Sequence, residues 1–325
     1  MTSQQIEYVL TLAELRSFSK AAKKLYVTQP SLSQYISNLE KQLGLSLFDR
    51  STSPIRLTAA GEVYIAAAQK MKDLEDDLTN ELYDLMALKK GTLKIGTSSF
   101  RASYLLAKSI TAFHAQYPAI TISIMEDSME NLLALIQQGK LDLVIGTYAF
   151  DYKTFHVEDL APEQLYLALP PTHPLNDTLK DYRLTASDIK NNSLQALMSP
   201  PIDLSLLQDV PFICTTEGEY PADLIRTICE TAHFKPRTLL EVKTLDTLFA
   251  LTLSGLGLSF IPDTLIRFGN FYQHPYYYAL NHPLCKSTIS LVSRRNGYFS
   301  KIAMEYSLLL KQLISIGTWR INDDN

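Results

Sequence analysis

The stretch that decides the fold of this chain runs from Phe18 to Arg50 and reads FSKAAKKLYVTQPSLSQYISNLEKQLGLSLFDR. It holds two short helical patterns, separated by a three-residue break at 26–28. Thr28 suits an N-cap because its hydroxyl can accept a first-turn N–H, and Pro30 loses no hydrogen bond in that turn. Apolar residues then recur at helical spacing, at Leu32, Ile36, Leu39 and Leu43. Gly44 follows them, and glycine commonly ends helices. The pattern predicts two helices joined by a tight turn.

The second of these helices has a polar outer face that is nearly free of acid. Gln34, Ser37 and Lys41 lie opposite the apolar residues, and Ser33 and Asn38 flank them. Amide and hydroxyl side chains on an exposed helix face suit hydrogen bonding to base edges in a DNA major groove. Periodicity alone is equally compatible with an ordinary surface helix in a helical hairpin.

The whole stretch resembles the N-terminal signature of LysR-type transcriptional regulators, and the match has no gap. The resemblance implies a winged helix-turn-helix that reads duplex DNA. The candidates for contact with bases and nearby backbone are Gln29, Pro30, Ser31, Ser33, Gln34 and Ser37. The positions that carry the resemblance are Phe18, Ala21-Ala22, Leu25, Gln29-Pro30-Ser31-Leu32-Ser33, Ile36, Leu39-Glu40, Leu43-Gly44, Leu47-Phe48, Arg50, Leu57-Thr58 and Gly61.

Residues 45–57 form two short extended patterns around Ser51-Thr52-Ser53-Pro54, which predicts a wing beside the recognition helix. A wing can follow the DNA backbone or enter the minor groove, and Arg50 and Arg56 are the cations placed to do so. The family commonly carries another arginine where this chain has Ser53, so minor-groove contact is expected to depend mainly on Arg56. The alternative for both arginines is solvated surface charge.

Charge supports contact with phosphates at one end of the chain. The chain carries a net charge of −4, whereas residues 1–58 hold seven basic and four acidic side chains, a net of +3. The remainder therefore carries −7. A basic module on an acidic body fits DNA contact confined to that module, although +3 alone is a weak signal.

Length and composition indicate a protein of two or three domains without a membrane span. The chain has 325 residues, and no segment approaches 18 uninterrupted apolar residues. The N-terminus MTSQQIEYVL lacks the features of a secretion signal, so a cytoplasmic location is expected. Cys214, Cys229 and Cys285 are scattered, which supports neither a disulfide framework nor a zinc site.

The longest helical pattern starts at Thr58 and continues to about Lys90 without a proline. A single helix of this length with a narrow apolar stripe needs a partner to cover it. Homodimerisation through residues 59–90 is therefore predicted, and packing against the chain's own body is the alternative. Glu81 interrupts the stripe, and Leu82 must compensate; the stripe itself consists of Met71, Leu74, Leu78, Leu85 and Leu88.

After residue 90 strands and helices alternate, which predicts parallel sheets flanked by helices. Two such units, with crossings near Ala161-Pro162 and Arg267–Asn270, predict a two-lobed α/β body; residues 194–198 are expected to be one of its strands. This body resembles the family's effector-binding domain, whose fold is that of periplasmic binding proteins. The predicted domains are a winged helix-turn-helix (1–58), a linker helix (59–90) and an effector-binding domain (91–325). Within that domain, lobe 1 comprises 91–162 and 269–325, and lobe 2 comprises 163–268.

Ligands of parallel sheets gather beyond the carboxyl ends of the strands, where helix N-termini point outward. The family resemblance implies an effector cleft lined by such loops, with Ser98, Ser99, Ser128 and Thr147 from lobe 1; Ser199 and Thr244 hold comparable places in lobe 2. Helix capping is the alternative role for each hydroxyl. Arg101 beside the first two serines favours an acidic effector, whereas an arginine one turn into a helix is more often a surface group.

The chain shows no nucleophile elbow, Walker loop or dinucleotide fingerprint, and its six histidines are dispersed. Neither an enzyme nor a cofactor is therefore expected. The family resemblance implies a DNA-binding regulator controlled by a small molecule, with tetramer formation and contact with RNA polymerase. Two alternatives stay open: a regulator that senses redox state through cysteines, and a ligand-binding α/β protein whose N-terminal helices are incidental.

Overall fold

The computed structural model describes residues 1–85, 90–295 and 297–315, and the chain forms two compact units, Met1–Leu82 and Tyr83–Asn325. The N-terminal unit contains α1 (Ser3–Leu15), α2 (Phe18–Lys24) and α3 (Gln29–Leu43). A two-stranded wing of β1 (Phe48–Asp49) and β2 (Arg56–Leu57) follows, and then the long helix α4 (Ala59–Leu85) begins. The helices and the start of the wing enclose one apolar core, made of Val9, Leu12, Ala21, Ala22, Leu32, Ile36, Leu39, Leu47 and Phe48.

The predicted ends of α3 are confirmed. The hydroxyl of Thr28 accepts the N–H of Ser31 at 3.3 Å, and Gly44 ends the helix with a left-handed φ of 69°. The N-cap of α1 is Thr2, because Thr2 and Gln5 satisfy each other's backbone N–H groups in a reciprocal capping box.

Helix α4 is described as far as Leu85, so its predicted continuation through Leu88 lies outside the described residues. The side chains of Glu81 and Leu85, which the predicted stripe includes, also lie outside them. None of the helices in the described parts of the chain is long and apolar enough to cross a membrane.

The C-terminal unit begins with a parallel sheet, as the alternation predicts. Its strands are β3 (Gly91–Thr97), β4 (Ile120–Glu126) and β5 (Leu143–Gly146), and β3 lies between the other two. A π-helical turn at Arg101–Leu106 leads into α5 (Ala107–Gln116), and α6 (Met129–Gln137) connects β4 to β5. The strand β6 (Phe155–Leu169) follows β5 in the chain.

The second lobe contains β7 (Pro211–Thr215), β8 (Arg237–Val242), β9 (Ser259–Pro262) and β10 (Tyr276–Tyr278). Strands β7 and β8 are parallel, and β9 and β10 pair with opposite edges of the last part of β6. Its helices are α7 (Leu175–Thr178), α8 (Ala186–Lys190), α9 (Leu194–Met198), α10 (Ala222–Thr231), α11 (Leu245–Leu253) and α12 (Asp263–Phe268). The chain then returns to the first sheet through β11 (Lys286–Arg294) and ends in α13 (Lys301–Ser315).

The strand β6 belongs to both lobes. Its first part, Phe155 to Gln164, pairs with β11, and its last part, Leu165 to Leu169, pairs with β9 and β10. The chain therefore passes between lobes within one continuous strand. It returns after Tyr278 rather than at Arg267–Asn270 as the sequence suggested, because β10 still pairs with β6 in lobe 2.

Residues 194–198, predicted as a strand, form the short helix α9 instead. The hydroxyl of Ser193 accepts the N–H of Ala196 at 3.1 Å, which caps a helix. The segment also leaves Leu194, Leu197 and Met198 exposed, so it has no apolar face buried in a sheet. The prediction of a strand was wrong because it followed the apolar residues of the segment. The preceding Ser193, a residue type that begins helices, is the signal that the structure bears out.

Candidate DNA interface and interlobe site

The first nine residues of α3 include all six candidates for contact with bases. Gln29, Pro30, Ser31 and Gln34 are exposed, and Ser33 and Ser37 are half-buried. Two of these side chains already have partners on the helix: the amide of Gln34 donates to Asn38 at 2.9 Å, and the hydroxyl of Ser31 lies 2.7 Å from that of Thr28. The face therefore offers amide and hydroxyl groups of defined orientation.

Glu40 on α3 fixes the wing against the recognition helix. Its Oε1 accepts the backbone N–H groups of Leu47 (2.8 Å) and Phe48 (3.1 Å), and its Oε2 lies 2.7 Å from Nη2 of Arg50. The Arg50 guanidinium also lies over the ring of Phe18, 5.0 Å from its centroid. Sequence reasoning missed this role of Glu40, because the residue gives no signal beyond its place in the LysR-like pattern.

The two wing arginines therefore differ in what they can offer to DNA. Both arginines are exposed, but the charge of Arg50 is compensated by Glu40, whereas Arg56 lies on β2 opposite Asp49. Hydrogen bonds from Ser51, with a smaller contribution from the Arg56 charge, hold the pKa of Asp49 below its usual value. Arg50 therefore differs from Arg56 in forming an ion pair with Glu40.

Replacing Glu40 with alanine is expected to lower the free energy of unfolding by about 1–3 kcal/mol, because two partly buried N–H groups lose their acceptor. Thermal and urea unfolding of the full chain measures this. Glu14→Ala, which removes an exposed ion pair with Lys24, is the matched control, with an expected change within about 1 kcal/mol. Equal effects of the two substitutions would contradict the role of Glu40.

In lobe 1, four candidate effector residues lie at strand ends as predicted from the order of elements. Ser98 and Ser99 follow β3, Ser128 precedes α6, and Thr147 follows β5. Ser128 caps α6 by accepting the N–H of Asn131 at 3.4 Å, so the capping alternative describes this hydroxyl in the structure. Ser98 and Thr147 meet at one group, the guanidinium of Arg101.

Arg101 and Glu163 form a buried ion pair in the middle of the C-terminal unit. Both side chains are fully buried, and Nη2 of Arg101 lies 2.7 Å from Oε2 of Glu163. The same Nη2 donates to Thr147 at 2.9 Å, and Nη1 is 3.4 Å from the Ser98 hydroxyl. The guanidinium carbon lies 4.6 Å and 4.4 Å from the ring centroids of Phe100 and Tyr220.

Glu163 receives hydrogen bonds from both lobes. Tyr220 donates to it at 2.6 Å and Thr147 at 3.1 Å, and Thr264 donates to its second oxygen. Burial, together with the Glu163 charge, raises the pKa of Tyr220 well above its ordinary value, so the phenol stays a donor. Because Thr147 belongs to lobe 1 and Tyr220 to lobe 2, the carboxylate on β6 joins the two lobes.

This network changes the interpretation of Arg101. The structure rejects the surface alternative, since the side chain is buried; the π-helical turn that begins at Arg101 directs it inward. Its charge, on which the prediction of an acidic effector depends, is already neutralised by Glu163. Among the residues that the structure describes, none accepts a hydrogen bond from the buried Nε atom of Arg101.

The candidates in lobe 2 belong to different elements. Thr244 caps α11 by accepting the N–H of Thr247 at 3.3 Å, and the first turn of α11 carries Asp246, which accepts the hydroxyl of Tyr104 from lobe 1 at 2.6 Å. Ser199 ends α9 and donates to the carbonyl of Tyr182 at 3.0 Å. It does not follow a strand, because its segment is helical.

Sequence reasoning missed Tyr220, which lies in the loop that follows β7 in lobe 2. Its hydroxyl donates to Oε2 of Glu163, the same oxygen that accepts the hydroxyl of the lobe 1 candidate Thr147. The order of elements could have indicated its position, because its loop follows β7, a strand of lobe 2.

The three cysteines, far apart in the sequence, pack around the core of lobe 2. Burial raises the pKa of Cys229 and of Cys285 to about 12, and it also raises the pKa of Cys214. Thiols held protonated in this way are poor nucleophiles. The geometry therefore gives no support to the redox-sensing alternative.

Helix α4 exposes an apolar stripe along its described length. Leu74 is 70% exposed, and Leu78 and Leu82 are each more than half exposed. Met71, one turn earlier, is also exposed. These residues are three or four positions apart and therefore share one face of the helix.

Two family models together match most of the chain. Residues 3–62 match the model described as bacterial regulatory helix-turn-helix protein, lysR family. Residues 87–305 match the model of the LysR substrate binding domain. The two matches fall on the N-terminal helical region and on the α/β region.

Similar proteins include the uncharacterized HTH-type transcriptional regulator YcgK of Bacillus subtilis (strain 168), 28% identical over all of both chains. A protein named "Probable RuBisCO transcriptional regulator" from Synechocystis sp. is 30% identical over 82% of this chain and 73% of its own length.

Solved structures with the same fold include a variant of full-length OxyR from Pseudomonas aeruginosa. It aligns with a TM-score of 0.66 at 25% identity, over 97% of this chain and 95% of that chain. Full-length CbnR in complex with its target DNA aligns with a TM-score of 0.60 at 20% identity, over 96% and 99%. At that lower identity the second likeness supports the fold alone.

Proposed function

Because this chain belongs to the LysR family of DNA-binding transcriptional regulators, we propose that it reads duplex DNA through α3 and the wing and that a small molecule bound between the two lobes controls its output. The observation that best supports this proposal is the exposed polar part of α3. It lies beside a wing whose residues are hydrogen-bonded to Glu40 of the same helix. Such a regulator acts on the chromosome, so we infer a cytoplasmic location, and the role requires neither catalysis nor a cofactor.

We assign contact with bases and nearby backbone to the polar half of α3, and contact with the phosphate backbone to the wing. Arg56 is the principal wing contact, because its charge is less compensated than that of Arg50. The α3 residues of this assignment are Gln29, Pro30, Ser31, Ser33, Gln34 and Ser37.

We further propose that the linker helix 59–90 joins two copies of the chain between the DNA-binding domain 1–58 and the effector-binding domain 91–325. The exposed apolar face of α4 supports this, because three leucines gain burial only when a partner covers them. A dimer presents two recognition helices to two half-sites about one helical turn apart.

The effector is proposed to bind between the lobes, near Ser98, Ser99, Ser128, Thr147 and Thr244. Ser199 is left out, because its hydroxyl is donated to the Tyr182 carbonyl. A ligand that binds one lobe arrangement better than another would shift the population of arrangements. Such a shift would change how dimers pair in a tetramer and how they contact RNA polymerase.

Replacing Gln34 or Arg56 with alanine tests the assignment of the DNA interface. The probe is a 30-base-pair duplex that the wild-type chain selects from a random pool. Gln34→Ala is expected to reduce discrimination between that duplex and a mixed-sequence duplex by about 1–3 kcal/mol if it reads a base. Arg56→Ala is expected to weaken both complexes similarly and to reduce the salt-dependence slope by about one.

Arg226→Ala in lobe 2 removes an exposed cation far along the chain and is expected to leave both complexes unchanged. Binding isotherms at several salt concentrations give the affinities. Wild-type behaviour of both Gln34→Ala and Arg56→Ala would refute the assignment of the interface to α3 and the wing.

A further inference from the structure

Tyr26, in the turn between α2 and α3, combines two features that rarely occur together. Its backbone is left-handed, with φ at 56°, and its side chain is 97% exposed. The left-handed region crowds a β-carbon against the backbone, so glycine, asparagine and aspartate usually occupy it. A bulky aromatic residue at such a position is an outlier.

The turn around Tyr26 is held firmly, so the direction of the side chain is determined. The N–H of Tyr26 donates to the Lys23 carbonyl at 3.3 Å, and that of Val27 donates to Ala22 at 3.0 Å. Leu25 and Val27, on either side, pack against the apolar core of the N-terminal unit. The ring of Tyr26 consequently points outward.

The exposed ring buries almost no apolar area, so nothing within the described unit offsets the backbone strain. Strain that the fold does not need is a feature of functional positions. Glycine or asparagine would form the same turn at lower cost. A partner that covers the ring in the functional complex would account for the tyrosine.

DNA is the partner that the location of Tyr26 favours. Tyr26 is two residues before Thr28, which caps α3, and the exposed residues Gln29 and Pro30 follow. Lys23, also exposed, lies in the last turn of α2. The ring therefore stands beside the N-terminal end of the recognition helix, on a surface with positive charge.

We propose that Tyr26 is a DNA-contact residue whose hydroxyl donates to a phosphate oxygen and whose ring packs on the adjoining deoxyribose. This inference rests on the proposed function, because it assumes that α3 enters the major groove. A tyrosine side chain carries no positive charge, so its phosphate contact displaces no counterion of its own. The contact adds affinity that is independent of base sequence and leaves the salt-dependence slope unchanged.

The test uses the full chain with the selected duplex and a mixed-sequence duplex of equal length. Tyr26→Asn removes the ring and keeps a residue that tolerates the left-handed backbone, and thermal unfolding checks that the fold is intact. We expect Tyr26→Asn to weaken both complexes by roughly five- to thirtyfold, with an unchanged salt slope. Tyr26→Phe, which loses only the hydroxyl, is expected to weaken both by about two- to tenfold.

Tyr272→Asn is the matched control, because Tyr272 is another fully exposed tyrosine, located in the C-terminal unit. It is expected to bind both duplexes like the wild-type chain. Wild-type binding by Tyr26→Asn would overturn the inference, and so would a changed oligomeric state with unchanged DNA affinity. If Gln34→Ala and Arg56→Ala weaken binding while Tyr26→Asn does not, this inference fails and the proposed function stands; if no variant differs from wild type, both fail.

Discussion

Replacing Glu163 with alanine is expected to destabilise the C-terminal unit by about 3–5 kcal/mol. The substitution leaves the guanidinium of Arg101 buried without its counter-charge, because both side chains are fully buried at 2.7 Å from each other. It also removes the acceptor of three hydroxyl groups, those of Thr147, Tyr220 and Thr264. Urea unfolding followed by tyrosine and tryptophan fluorescence measures the loss.

Glu158→Ala provides a matched control on the same strand. Glu158 pairs with His156 and Lys311, but it is partly exposed, so we expect a loss of at most about 1 kcal/mol. The double substitution Arg101→Met with Glu163→Leu removes both charges, and it is expected to be less destabilising than Glu163→Ala alone. A loss for Glu163→Ala no larger than that for Glu158→Ala would contradict the central role of the pair.

Replacing Leu74 and Leu78 together with glutamate is expected to convert the chain from dimer to monomer at micromolar concentration. Burial of each leucine contributes about 1.5–3 kcal/mol. The double substitution removes four leucines from the proposed dimer, two from each copy. The dimer dissociation constant is therefore expected to rise at least about a thousandfold. Sedimentation equilibrium measures this dissociation constant. The affinity for a duplex with two half-sites is expected to fall as the dimer dissociates.

Thr79→Glu introduces the same side chain on a neighbouring face of α4 and is the control. Thr79 is exposed beside Leu78 but lies about 100° around the helix from it. The control is expected to remain dimeric. A dimeric Leu74→Glu/Leu78→Glu chain would mean that the stripe on α4 serves another purpose.

The elements that depend on neighbouring residues were predictable. Thr28 caps α3 and Gly44 ends it, as the residue types and spacing indicate, because a capping hydroxyl needs only the N–H three residues ahead. The alternation of strands and helices likewise predicted the parallel pairing of β3, β4 and β5. Where local signals competed, as at Ser193 before α9, the prediction was wrong.

Local sequence patterns were enough to indicate the helix-turn-helix, the family resemblance, the apolar stripe of the linker helix and the α/β character of the C-terminal region. These features arise from periodicity and caps, which act over a few residues. The pairing of side chains over long separations is visible only in the folded chain. Arg101 meets Glu163 from 62 positions away, Glu40 receives Arg50 from the wing, and the hydroxyl of Ser199 donates to the carbonyl of Tyr182. Such pairings depend on how whole elements pack against each other. Once a charged side chain is buried, leaving it without a partner costs several kcal/mol of stability.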